Sequence, residues 1–274
     1  MPVPRVSILI PARNDAAALG RTLDHLAGVA GIEAAEIIVA AAGDPAGTAR
    51  AVRRRARLLW PDDDTRAGLM NAAAAAASGE VFFFVHADSA PPRDALGLMA
   101  AVFSDSRVAG GAFAHRFAEP DWRLQIISGI NRLRYRLTRN YYGDQGIFVR
   151  AATFRQLGGY RPLRLLEDLD FSRRLKRMGR SVVLPASVET SGRRFLTRGP
   201  WRTLAFIVWL LILSTLRLDT ERYAERYRGP ADREPGSPGG GGRLRGTEAA
   251  CAEAARVNAP LACSRSAPSR AYLR

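Results

Sequence analysis

Cysteine is almost missing from this chain. The two that occur, Cys251 and Cys263, stand near the end of the sequence. That excludes a disulfide framework and a cysteine zinc cluster and makes a reducing, cytosolic setting the expectation. Lysine is scarcer still: Lys176 is the single one, so arginine carries almost all of the formal net charge of +15. Long hydrophobic runs are lacking too. The longest, 204–213, is flanked by Arg198, Arg202 and Arg217 and falls short of the roughly 20 apolar residues that a membrane span needs. The first apolar run, 6–10, closes at Pro11 and reads as a strand rather than a leader. No G-x-G-x-x-G follows it, which excludes the Rossmann dehydrogenase fingerprint. Pro11-Ala12-Arg13-Asn14 is not the glycine-rich phosphate loop that a sugar-phosphate nucleotidyltransferase would need. Despite the positive charge there is no zinc-ligand spacing, RNP-like aromatic motif or helix-turn-helix pattern, so nucleic acid is not the expected partner.

What is present is an alternation. Apolar runs at 6–10, 36–40, 57–60 and 81–85 are separated by helical patterns at 16–29, 46–57 and 67–78, with Asn14 or Asp15 as first N-cap and Gly79 ending the third helix. This predicts an α/β fold: a Rossmann-like, mostly parallel central sheet with helices on both faces. The second half is less regular. Strands are expected at 108–117, 146–149 and 181–184, and helices at 122–138, 151–157, 167–178 and 201–216. From 229 the composition turns to glycine, proline and arginine. The division is therefore a domain over 1–228 and a disordered tail over 229–274.

Several residues stand where chemistry is done. His86-Ala87-Asp88 directly follows the apolar strand at 81–85. A carboxylate at the carboxyl end of such a strand faces the crevice where open α/β sheets bind ligands. Asp88 either holds a divalent cation that clamps a diphosphate or caps the next helix. Arg66 and Asn71 flank the start of the third helix, where free N–H groups and an arginine suit a phosphate; a solvated arginine is the alternative. Tyr142-Gly143-Asp144-Gln145-Gly146 brackets two polar residues with glycines, as close backbone approach to a ligand or a plain turn would require. Glu167-Asp168 opens a helix, either stabilising its dipole or supplying a general base. Arg193-Arg194 either binds a departing phosphate or lines an anionic surface.

Taken in order, these motifs resemble glycosyltransferase family 2, with its GT-A fold. Ile8-Leu9-Ile10-Pro11-Ala12-Arg13-Asn14-Asp15 is similar to that family's opening strand and Pro-x-x-Asn-Glu, with Asp for Glu. His86-Ala87-Asp88 is similar to its DxD motif. Gly158-Gly159-Tyr160 followed by Glu167-Asp168 is similar to its Gly-Gly-aromatic and Glu-Asp pair. Met70-Asn71, residues 142–146 and Arg193-Arg194-Phe195 are similar to a bacterial subgroup, the radical-SAM/selenodomain-associated transferase 2 type. The resemblance implies a metal-dependent, inverting transfer of a sugar from a nucleotide-diphosphate sugar. Asp88 would hold Mn²⁺ or Mg²⁺. Asp168, beside Glu167, would be the base. Pro11, Ala12, Asn14, Asp15, Asp44, Arg66, Asn71, Asp144, Gln145, Arg193 and Arg194 would line the donor site.

One stretch departs from the family. Where Asp-Gly-Gly-Ser-x-Asp-Gly-Thr is usual, the chain reads Ala41-Ala42-Gly43-Asp44-Pro45-Ala46-Gly47-Thr48. A lost charge-assisted hydrogen bond costs about 1.5–3 kcal/mol. Either Asp44 compensates, or donor choice has changed, or the protein is a non-catalytic, nucleotide-binding relative. The apolar helix at 201–216, with Trp201 and Trp209, is expected to be buried or to lie at the inner face of a membrane. The latter would suit a lipid-linked acceptor such as a polyprenyl phosphate or a carotenoid acid.

Overall fold

The computed structural model describes residues 4–228. Its chain alternates strand and helix through the first half. The elements there are β1 (Val6–Arg13), α1 (Ala16–Leu26), β2 (Glu36–Ala42), α2 (Pro45–Val52), β3 (Arg57–Leu59), α3 (Arg66–Ala75) and β4 (Val81–Phe84). A short β5 (Ser89–Ala90), α4 (Ala95–Phe103), β6 (Val108–Phe117) and α5 (Trp122–Thr138) follow. Next come β7 (Ile147–Arg150), α6 (Ala151–Gln156), α7 (Glu167–Leu175), β8 (Arg180–Thr190), α8 (Arg193–Arg198), α9 (Pro200–Thr215) and α10 (Ala224–Arg228).

The strands form one sheet in the order β3-β2-β1-β4-β7-β6-β8-β5. β1 runs parallel to both β2 and β4, while β7 lies antiparallel between β4 and β6. Because β1 has later strands on either side, the strand order reverses between β1 and β4, and the crevice at their carboxyl ends is the topological switch point. β1 shows why this centre is stable. Ile8 and Ile10 pack on one face with α1 and α4 through Leu19, Leu23 and Met99. Leu9 packs on the other with α3, α6 and α7 through Met70, Phe154 and Phe171. A strand covered on both faces reads as an unbroken apolar run. β4 does the same: Phe82 and Phe84 meet Phe154, and Phe83 meets Phe113, all with ring centroids within 5.6 Å.

Several expectations need correction. α3 ends at Ala75, not at Gly79. Gly79 instead passes so close to β1 that a Cβ would sit 2.8 Å from the Arg5 carbonyl oxygen. The strand expected at 181–184 continues to Thr190, absorbing Pro185 in a break of register between Phe113 and Ala114. α8 was not anticipated; α4 was foreseen only as the unbounded helix that Asp88 could cap, and its N-cap is Asp94. α1 stops at Leu26, and Asp15 rather than Asn14 is its N-cap. The tail expected at 229–274 lies outside the described residues.

Candidate active site

The crevice is built from the carboxyl ends of β1, β2 and β4. Pro11 and Ala12 lie at the end of β1 in register with Ala40 and Ala41 of β2. The chain then turns through Asn14, whose φ of 50° lies in the left-handed region. Its Oδ1 accepts the Asp44 N–H at 3.0 Å. Gly43 is required beside it, because a Cβ there would overlap that same amide. Asp44 caps α2 by accepting from the Gly47 N–H at 3.0 Å. Asp15 caps α1 through the Ala18 N–H at 3.1 Å and accepts from Arg193 at 3.0 Å. The two halves of the chain thus meet across the crevice. Ala41 is 1% exposed, packed in the core, whereas Ala46 is exposed at the start of α2.

Opposite β1 a charged cluster assembles from three elements. Arg66 is the first residue of α3, Glu167 and Asp168 form the first turn of α7, and His86 follows β4. Leu166, at φ 60°, holds the left-handed conformation that starts α7 at this angle; for a branched residue that costs about 1–3 kcal/mol. The Arg66 guanidinium lies 3.4 Å from Glu167 Oε1 and 3.6 Å from Asp168 Oδ2, and also donates to the His86 ring. Asp168 Oδ2 accepts the Gly143 N–H at 3.0 Å, while its Oδ1 is buried without a partner. Gly143 has no room for a side chain: a Cβ would overlap His86 Nε2 and lie 2.5 Å from Asp168 Oδ2.

The electrostatics follow from this packing. Burial raises the Asp168 carboxyl to about 7; Arg66 opposes the rise and the Glu167 charge adds to it. Burial by itself would lower the Arg66 guanidinium, but Asp168 and Glu167 outweigh it and raise its pKa. Burial, then the positive charges of Arg66 and Arg194, hold His86 well below its ordinary value, so its ring is neutral at pH 7. Asp88, just beyond it, has an exposed side chain. The protein crowding it still raises its carboxyl, against the pull of Arg66 and Arg194.

The remaining predicted residues divide. Asp144 keeps a buried, unpartnered Oδ1, and its Oδ2 lies 3.7 Å from His115 Nε2. Arg194 rests its guanidinium 4.8 Å from the Tyr227 ring centroid, and its charge reaches His86 and Asp88. Asn71 and Gln145 are occupied by the protein itself. Asn71 holds both the N–H and the carbonyl of Tyr160, and Gln145 bonds the Tyr142 N–H and the Phe113 carbonyl. They fix the backbone on either side of Asp168. His115 was missed. It is buried on β6, its Nε2 2.7 Å from Thr190 Oγ1 and its Nδ1 without a partner. A histidine directly after the apolar run 108–114 was the available signal.

The family model of glycosyl transferase family 2 matches residues 7–157, which takes in β1 from Ser7 onward, the Asp44 loop, Arg66 and Asp88. The chain belongs to glycosyl transferase family 2. Solved structures agree on the fold. A mannosyltransferase from Pyrobaculum calidifontis, solved with GDP-Man and Mn²⁺, is similar at a TM-score of 0.54 and 20% identity, over 70% of this chain and 58% of that one. TarS residues 1–349 of S. aureus, solved with UDP-GlcNAc, is similar at 0.54 and 17%, over 68% and 58%. The chain therefore spans under two thirds of the length of either. No curated protein matches it in sequence.

Among the described residues no three His, Cys, Asp or Glu side chains converge as a metal-sized group. Mg²⁺ and Mn²⁺ do not require one at a phosphate site, where one or two carboxylates share the ion with phosphates and water. Asp88, exposed at the switch point, fits that pattern. His86 does not, because Arg66 takes up its ring.

Proposed function

We propose that this member of the family transfers a sugar, with inversion, from a nucleotide-diphosphate sugar to an acceptor. The observation that carries the reading is Asp168: a buried carboxyl with one oxygen free, held near neutrality beside Arg66. A base with a pKa near the working pH is the efficient one. The acceptor oxygen would attack the anomeric carbon while Asp168 takes its proton. The bond from that carbon to the donor phosphate oxygen would break, and the nucleoside diphosphate would leave with the electron pair. Pro11, Ala12, Asn14, Asp15 and Asp44 would seat the nucleotide, and Arg66, Arg193 and Arg194 would face its phosphates. Asp144 would contact the sugar or acceptor. Bound at Asp88, Mn²⁺ or Mg²⁺ would supply a Lewis acid for the leaving diphosphate. GDP-Man and UDP-GlcNAc in the similar structures support the donor class.

The acceptor we infer is lipid-linked, a polyprenyl phosphate or a carotenoid acid, met by α9 at the inner face of a membrane. No helix among the described residues is long and apolar enough to cross one. An acceptor that is already an anion needs no base, and Asp168 would then orient it. The subgroup resemblance to the radical-SAM-associated transferases belongs to the same proposal.

The test is thermal stabilisation by nucleotide diphosphates and nucleotide sugars, with and without Mn²⁺. Binding to the folded state alone raises Tm by mass action. A Mn²⁺-dependent shift lost in Asp88→Ala is the expected result, with transfer lost alongside it. Full activity in that variant sinks the metal role. Ala41 and Ala46 favour a second reading, a non-catalytic nucleotide binder. Donor binding with no transfer to any acceptor would establish it.

A further inference from the structure

α5 carries an outward stripe that the transfer does not use. Trp122, Ile126, Ile130, Leu133 and Leu137 are exposed, Trp122 at 64% and Leu137 at 75%. With Gly129 they span one helix face about 100° wide. α9 with its C-cap repeats the spacing residue for residue: Trp201, Ala205, Val208, Trp209 and Ile212, then the cap Leu216, all exposed. The inner faces are already occupied. Leu124, Ile127 and Tyr135 of α5 are buried, and so are Leu210 and Leu213 of α9. The two stripes meet where the helices begin, with the Trp122 and Trp201 ring centroids 6.4 Å apart. Three of the chain's four tryptophans stand on this surface.

The surrounding charge decides what covers it. No Asp or Glu occurs in 122–143 or in 190–218. Arg132 and Arg136 border the α5 stripe, and Arg202 and Arg217 lie at the ends of α9, all exposed. A second copy would set this rim against itself, like charge on like. An anionic lipid surface complements all three features: apolar side chains enter the acyl boundary, arginines meet phosphates, and tryptophans sit at headgroup level.

We propose that α5 and α9 together form a platform that lays the protein on an anionic membrane surface. This extends the lipid-acceptor reading to a second helix, but its residues lie outside the crevice, so the two ideas fail separately.

The test uses the full chain with vesicles of phosphatidylcholine alone and with about 30% phosphatidylglycerol. Expected are co-sedimentation with the anionic vesicles only, release by high salt, and quenching of tryptophan emission by brominated acyl chains. A variant combining Ile126→Ser, Ile130→Ser, Leu133→Ser and Leu137→Ser should partition more than about tenfold more weakly, with unchanged circular dichroism and donor-induced Tm shift. Quenching in the unaltered chain reads the same contact without relying on a variant. Equal binding to neutral vesicles, no binding at all, or an α5 variant that binds like the parent would overturn the platform. So would a dimer in sedimentation velocity that the α5 substitutions disperse, since the face would then belong to a second copy. Vesicle binding without any donor shift upholds the platform and counts against the transferase reading alone.

Discussion

At the scale of single residues, the site turns on two carboxylates and one guanidinium. Asp168 must be deprotonated to act as base, so activity on a hydroxyl acceptor should rise with pH through about 7 and then level. Asp168→Asn should lower kcat by about 10²–10⁴-fold and leave the donor-induced Tm shift in place. Stability carries the opposite slope. The unfolded carboxyl loses its proton near 3.8 and the folded one near 7. Between those values the folded state binds more protons, so stability falls as pH rises across that window. Asp168→Asn should flatten this limb in urea melts taken at several pH values; an unchanged limb would assign it to another group. Arg66→Ala removes the charge that holds Asp168 down, so the activity limb should move to higher pH. Arg66 is 38% exposed, so the stability cost should fall below that of breaking a fully buried pair, at about 1–3 kcal/mol. Ala41 is a different case. Restoring the family's Asp there would place a carboxylate in the core packed by Leu19, Leu23 and Val52. Ala41→Asp should therefore destabilise by about 2–5 kcal/mol without improving donor affinity, as denaturant melts and donor titration would read.

At the scale of elements, loops and helix starts aim the chemistry, and their strength decides how variants are read. Arg193 reaches Asp15 through a surface pair with Arg193 66% exposed, worth about 0–1 kcal/mol. Arg193→Ala should thus leave Tm nearly unchanged, and any large loss of transfer would report on phosphate binding rather than on folding. A Tm drop of several degrees would reverse that assignment. The same elements show how far sequence reaches. β1, β2 and β4 were legible because strands covered on both faces need apolar side chains throughout. The positions of Asp88, a few residues past β4, and of Glu167-Asp168, at the start of α7, were legible because they adjoin strong elements. The partnership of Arg66 with Glu167, across a hundred residues, has no local signature. α4 was left without bounds because its residues, Ala95-Leu96-Gly97-Leu98-Met99 onward, are nearly all apolar and show no amphipathic period. β8 was cut short because Pro185 reads as a stop, which a break in pairing with β6 accommodates. The antiparallel insertion of β7 depends on the whole sheet. Asn71 and Gln145 were read as donor residues because a polar side chain at a helix start or between glycines looks the same whether its partner is a ligand or a backbone.

At the scale of the whole molecule, charge is unevenly arranged. The chain is strongly positive, with a formal net charge of +15, yet the crevice gathers Asp15, Asp88, Asp144, Glu167 and Asp168 around Arg66, Arg193 and Arg194. A nucleotide diphosphate approaching from solvent would meet an attractive field. On arrival it would meet carboxylates that repel it in the absence of a cation. Steering acts on association and is screened within about 10 Å at 0.1 M salt; short-range contacts act mainly on dissociation. The two effects should therefore separate. Raising ionic strength should slow donor association by about an order of magnitude and leave dissociation nearly unchanged. Withholding Mn²⁺, or replacing Asp88 by Ala, should speed dissociation and leave the salt dependence of association intact. Stopped-flow binding of a fluorescent nucleotide sugar would read both rates. A salt effect confined to dissociation would mean that the arginine excess does not guide the donor, and that its affinity rests on contacts within the crevice alone.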